Sequence, residues 1–139
     1  MDYKHLFSTH PNFLLERLVH QYKKQDKLIV AYDFDDTVRP MYCSDCTRVQ
    51  SLLRQLKNIA NAYFIVFTSN ENIDDIKKYL DKYEIPYDAI NENAPFISLN
   101  KGKIFYNVLL DDKAGLGETV NTLEQLVYLI TNKYVQKEK

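Results

Sequence analysis

The run Leu28-Ile29-Val30-Ala31-Tyr32-Asp33-Phe34-Asp35-Asp36-Thr37 settles the architecture of this chain. Five apolar residues follow one another without a polar break and then give way to acids. That is the pattern of a strand covered on both faces and ending at solvent, and we read it over Lys27 to Phe34. A second run, Tyr63-Phe64-Ile65-Val66-Phe67, ends in Thr68-Ser69-Asn70. Ile104 to Leu110 reads as another strand and ends in Asp111-Asp112-Lys113, and Tyr87 to Ile90 is a further short one.

Between the strands the apolar period becomes helical. From Pro11 to about Gln25, residues Leu14, Leu15, Leu18, Val19 and Tyr22 recur at helical spacing, and Pro11 suits a first turn. Val49, Leu52, Leu53, Leu56 and Ala60 mark a second helix, with Ser44 or Asp45 available as its cap. Ile73, Ile76, Leu80 and Tyr83 mark a third, which carries Asp74 and Asp75 in its first turn and is closed by Pro86. Val120, Leu123, Leu126, Val127, Ile130 and Tyr134 form the last. The segment Asn91 to Gly102 is turn-rich. Strands alternating with helices predict an α/β fold, a three-layer α/β/α sandwich around a Rossmann-like parallel sheet.

Size and composition agree with one domain over residues 1–139, its N-terminal helix (about 11–25) packed on the core. A chain of 139 residues with 45% hydrophobic content buries roughly 70% of its unfolded surface, so its core needs no disulfide or metal staple. Three Gly and four Pro exclude collagen-like and low-complexity classes. The longest apolar runs are five residues, against the ~20 of a membrane-spanning helix, and Met1 to His5 leads into no signal-like core. These features predict a cytoplasmic protein with no membrane partner. Lys and Arg number 18 against 19 Asp and Glu, a balance that gives nucleic-acid binding no support. Cys43 and Cys46 form a lone CxxC; His5, His10 and His20 lie far upstream, so the pair reads as ordinary thiols and not as half of a zinc site.

In open α/β sheets the ligand crevice lies beyond the carboxyl ends of the strands. Asp33, Asp35, Asp36, Thr68, Asp111 and Asp112 all fall there. Alternate residues of an extended segment share a face, so Asp33 and Asp35 address one site if the backbone stays extended. An acid after a strand is commonly no more than a helix cap or a solvated loop residue. Two acidic pairs at two strand ends are different: like charges so close are costly without a counter-ion, and oxygen-only ligands suit a hard cation such as Mg²⁺.

Asp33-Phe34-Asp35-Asp36-Thr37 after a hydrophobic strand resembles the first motif, DxDxT, of the haloacid dehalogenase superfamily of phosphotransferases. Thr68 resembles its second motif, Lys103 its third and Asp111-Asp112 its fourth, in the family's order between residue 28 and about 113. Lys103 stands eight residues before Asp111, and Lys101 is the alternative lysine. This short spacing resembles a subgroup of small capless members from bacteria and phages, whose ending is similar to Asn91-Glu92-Asn93-Ala94-Pro95 followed by Lys103-Ile104 and Asp111-Asp112.

The resemblance implies a Mg²⁺-dependent phosphatase. Asp33 would be the nucleophile that becomes an aspartyl-phosphate, and Asp35 the general acid and then base. Asp33, the Asp35 carbonyl, Asp111 and Asp112 would hold the metal. Thr68 would bind the phosphoryl oxygens and Lys103 would neutralise charge. Ser69 and Asn70 beside Thr68, and Arg39 just past the first motif, are substrate-binding candidates. Only about eight residues separate Thr37 from the next helix and the later loop is about a dozen long, too short for a cap domain. The site is therefore expected to be open unless oligomerisation covers it, and to take a phosphorylated macromolecule or small molecule. Two rivals come from other classes: a receiver-type phosphoacceptor domain, whose acceptor Asp would end a middle strand where this chain has Thr68, and a non-enzymatic interaction module that retains the fold.

Overall fold

In the computed structural model, which describes residues 3, 6, 12–24, 27–42, 45–98 and 102–138, the apolar run after Lys27 forms β1 (Ile29–Asp33) inside a four-stranded parallel sheet. Pro11, Gln25, Cys43, Ser44 and Lys101 lie outside the described residues. The remaining elements are α1 (Phe13–Lys23), α2 (Thr47–Ala60), β2 (Tyr63–Phe67), α3 (Ile73–Lys82), β3 (Ala89–Ile90), β4 (Val108–Leu110) and α4 (Leu116–Thr131). Four helices flank the sheet, an α/β arrangement compatible with a Rossmann-like sandwich. None is long and apolar enough to cross a membrane.

The strand order is β3-β2-β1-β4. The chain therefore steps from β1 outward through β2 to β3, then crosses back to place β4 on the other side of β1. Parallel pairing sets Asp33 opposite Phe67 and Tyr32 opposite Leu110. The switch point of the sheet, where ligands bind in such folds, thus lies between β1 and β4.

The two faces of the sheet are covered differently. Val30, Tyr32, Phe64, Val66, Val108 and Leu110 point into the larger core cluster, which also takes buried residues from all four helices. Ile29, Ala31 and Ile65 point the other way and meet Ala94, with Ile97 and Ile104 packed alongside. Among the described residues, no helical side chain joins this second cluster. The expected third layer is therefore supplied by the irregular segment between β3 and β4, because a stretch holding Asn91, Asn93 and Pro95 carries turn chemistry and no helical period.

This also explains a difference at β4, read from sequence as Ile104 to Leu110 and observed as Val108–Leu110. Ile104 is drawn under the sheet. Pairing begins only at Asn107, whose amide donates to the Ile29 carbonyl at 2.9 Å and whose Oδ1 accepts from the Ile29 amide at 2.7 Å. Asp88 does the same at the start of β3, exchanging bonds of 2.8 and 2.9 Å with the Phe64 backbone. Helix α4 starts at Leu116, which packs against the core four residues before Val120, the first position of the apolar period read from sequence, and it follows Gly115 in the left-handed region (φ 66). Helix α2 takes its first-turn contact from Asp45, which accepts from the Thr47 amide at 2.9 Å, while Cys46 is buried at the cap position.

If the irregular segment supplies the second cover, Ala94, 1% exposed, has no room to grow. Ala94→Leu is expected to destabilise by about 1–3 kcal/mol in urea unfolding, the usual cost of overpacking. An unchanged midpoint would contradict this packing.

Candidate functional site at the carboxyl ends of the strands

The register of the sheet brings the acidic strand ends together. Asp33 ends β1, and Asp111 follows Leu110, which faces Tyr32. Carboxylate oxygens of Asp33, Asp111 and Asp112 all lie within 4.8 Å of one another. Local chain geometry reinforces this: the Asp111 carboxylate accepts from the Lys113 amide at 2.9 Å, and its carbonyl accepts from Ala114 at 2.9 Å, forming the turn that leads into α4.

Thr37 fastens the two halves, a role the sequence reading did not assign. It is fully buried, and its Oγ1 accepts from the Asp112 amide at 3.0 Å while lying 3.4 Å from both Asp33 Oδ2 and Asp112 Oδ1. A single hydroxyl thus contacts both strand ends across 75 positions of sequence. The signal was present as a hydroxyl four residues after Asp33, but only the fold brings Asp112 to it.

Asp35 is placed apart from this trio. Its Oδ1 accepts from Arg39 Nε at 3.0 Å and Nη2 at 2.7 Å, and Arg39 Nη1 reaches Asp75 Oδ2 on α3 at 2.9 Å. The guanidinium also lies 4.7 Å from the centre of the buried Phe34 ring, a cation–π contact. The backbone does not stay extended past Asp35: Asp36 adopts φ 63, and its Oδ1 gathers the amides of Met41 and Tyr42 at 2.8 and 2.7 Å. The carbonyl of buried Val38 accepts from Gln50 Nε2 at 2.8 Å, which pins this loop to α2. Arg39, expected to meet substrate, is instead tied to two carboxylates, one of them 36 positions away and invisible to any local motif.

Thr68 lies one residue past β2, next to the strand that carries Asp33. Its Oγ1 accepts from the Asn70 amide at 3.0 Å, and the Asn70 side chain accepts in turn from Asn72 at 2.9 Å, so Asn70 belongs to the turn that leads into α3. Ser69 is exposed. Lys103 is also exposed; among the described residues its amine has no ion pair, and its carbonyl accepts from Asn93 Nδ2 at 3.2 Å. The trio of Asp33, Asp111 and Asp112, together with Thr68, forms the geometric centre, while Lys103 reaches toward solvent from the segment under the sheet.

Crowding has an electrostatic consequence. Asp33 is pushed up from 3.8 to about 6, first by burial, then by a hydrogen bond shared with Asp112 and by the charges of Asp111 and Asp112, against a lowering bond from the Phe34 amide. Three carboxylates without a cationic partner in the trio make an oxygen-only donor set that fits a hard divalent cation.

A carboxyl whose native value exceeds its unfolded value adds stability that is complete below pH 3.8 and lost as pH rises through about 6. Metal-free Asp33→Asn is therefore expected to melt above metal-free wild type at pH beyond 6, with the difference closing toward pH 4. Thermal melts across that range check the sign, and a wild type that stays the more stable at high pH would refute it. Thr37→Val leaves the Asp112 amide without its acceptor and is expected to cost about 1–3 kcal/mol in urea unfolding. No family model, no curated protein and no solved structure matches this chain, so the site is read from its own chemistry.

Proposed function

We propose that the protein is a Mg²⁺-dependent phosphatase, a phosphoric monoester hydrolase of the haloacid dehalogenase type that works through an aspartyl-phosphate. The observation that carries this reading is the meeting of Asp33, Asp111 and Asp112 at the switch point of a parallel sheet, beside Thr68. The order of these residues along the chain supports it further.

In the proposed mechanism an Asp33 carboxylate oxygen attacks phosphorus, and the bond from phosphorus to the ester oxygen breaks. Asp35 gives its proton to the departing oxygen. It then takes a proton from water, which attacks the same phosphorus and releases inorganic phosphate from Asp33. Arg39 holds Asp35 through one carboxylate oxygen, Oδ1, leaving Oδ2 for proton transfer. Arg39 therefore enters as the residue that aims Asp35, and its contact to Asp75 fixes that aim to α3. Thr68 and Lys103 receive the phosphoryl oxygens, with Ser69 and Asn70 at the rim. Mg²⁺ held by Asp33, the Asp35 carbonyl, Asp111 and Asp112 would supply the positive charge that lets an anionic phosphate approach three carboxylates.

Only residues 34–46 separate β1 from α2, and residues 91–107 separate β3 from β4. Neither insertion is of cap size, which supports an open site for a phosphorylated small molecule or macromolecule. Hydrolysis of p-nitrophenyl phosphate is expected with Mg²⁺, to stop on chelation, and to fall by about 10³-fold or more in Asp33→Asn. Asp35→Asn is expected to lose about 10²–10⁴-fold. An Asp33→Asn protein as active as wild type would overturn the mechanism.

A further inference from the structure

Asn91 and Asn93 leave β3 two residues apart, and each commits its side-chain amide to backbone on another segment. Asn91 Oδ1 accepts from the Thr68 amide at 3.0 Å, and its Nδ2 donates to the Thr68 carbonyl at 2.8 Å. Asn93 Oδ1 accepts from the Phe105 amide at 2.7 Å, and its Nδ2 donates to the Lys103 carbonyl at 3.2 Å. Each side chain uses a donor and an acceptor at once, so each reproduces one rung of a β ladder where no strand continues.

The two targets are the two residues that the phosphatase reading assigns to the phosphoryl oxygens. Thr68 is just past the last paired residue of β2, and Lys103 lies in irregular chain, so in neither case does a strand hold the backbone. The Asn91 amide continues the ladder by one bond to the Val66 carbonyl at 2.9 Å before its backbone turns into the left-handed region at φ 56, which asparagine tolerates. Buried Ala94 anchors the segment beside Asn93. With its backbone gripped at both the amide and the carbonyl, and its Oγ1 already accepting from Asn70, Thr68 has its hydroxyl hydrogen left to donate.

We propose that Asn91 and Asn93 are positioning residues of the site: Asn91 holds Thr68 and Asn93 holds Lys103 in the places from which they meet phosphate. This rests on the phosphatase reading. All four bonds are solvent-exposed, so the asparagines contribute mainly to geometry and little to global stability.

Double-mutant cycles with p-nitrophenyl phosphate and Mg²⁺ test this. Asn93→Ala is expected to lower kcat/KM by about tenfold or more, the usual effect of losing an outer partner, yet to change it less than about twofold when Lys103 is already Ala. Asn91→Gly, which keeps the positive φ accessible, is likewise expected to lower kcat/KM by about tenfold or more on its own and by less than about twofold when Thr68 is already Val. Asn93→Asp, which keeps the acceptor for Phe105, is expected to retain more activity than Asn93→Ala. Independently of turnover, amide hydrogen exchange is expected to quicken at Thr68 in Asn91→Gly and at Phe105 in Asn93→Ala, with unchanged melting temperatures. Cycles in which each asparagine costs the same factor with or without its target, in an active wild type, would overturn the positioning role alone, as would unaltered exchange. A wild type that turns over no phosphate ester while showing the exchange effects would overturn the phosphatase reading and the positioning role with it.

Discussion

The parallel register of β1 with β4, Tyr32 opposite Leu110, is the constraint on which the rest depends. It sets Asp33 and Asp111 at the same height on adjacent strands, about 5 Å apart in backbone, and the following turn adds Asp112. Nothing about acidic side chains favours such a meeting. The energy that holds them there comes from beneath: Val30, Tyr32, Phe64 and Val66 are all fully buried, and Tyr32 adds a 2.9 Å bond from its hydroxyl to the Pro86 carbonyl. A well-packed sheet thus imposes an unfavourable charge arrangement at its end, and Thr37 is the neutral hinge pin between the two halves. Strain of this kind at a strand end is characteristic of sites built to receive a ligand.

The rest of the molecule limits how far that end can move. Arg39 ties the loop after β1 to α3 through Asp75, Gln50 ties the same loop to α2, and Arg48 pairs with Glu124 across α2 and α4. The face of the sheet opposite the helices is held by aliphatic residues of an irregular segment and by edge-to-face ring contacts, Tyr63 with Phe96 and Phe67 with Tyr106. The segment that covers this face also carries Lys103, whose side chain is exposed.

Much of this was legible in the amino-acid order. The bounds of β2 were read correctly because aromatic and β-branched residues run unbroken from Tyr63 to Phe67, and the helices were found from their apolar period. Convergence of Asp33, Asp111 and Asp112 followed from a general property of parallel sheets, with Thr68 one residue past the neighbouring strand. What escaped is what depends on distant partners. Asp35 was grouped with Asp33 on the assumption of an extended backbone; its carboxylate lies outside the trio of Asp33, Asp111 and Asp112 and pairs with Arg39. Among the described residues the second cluster takes no helical side chain, and nothing between Asn91 and Asn107 has a helical period in the sequence; burial in irregular chain leaves no periodic trace. Asn91 and Asn93 were visible as turn formers and as part of a resemblance, but not by what they hold, since a side chain that bonds to backbone leaves no mark on the sequence of the segment it grips.

The terminations of β3 and β4 have a consequence for the protein among its neighbours. These are the two edges of the sheet, two and three residues long, and Asp88, Asn91 and Asn107 fill the rungs where each would otherwise lengthen. An edge that short offers an incoming strand too few unpaired groups to dock against, and the side chains that shorten it are polar. A sheet rich in valine, isoleucine and phenylalanine is thereby kept from serving as a template for other copies of itself.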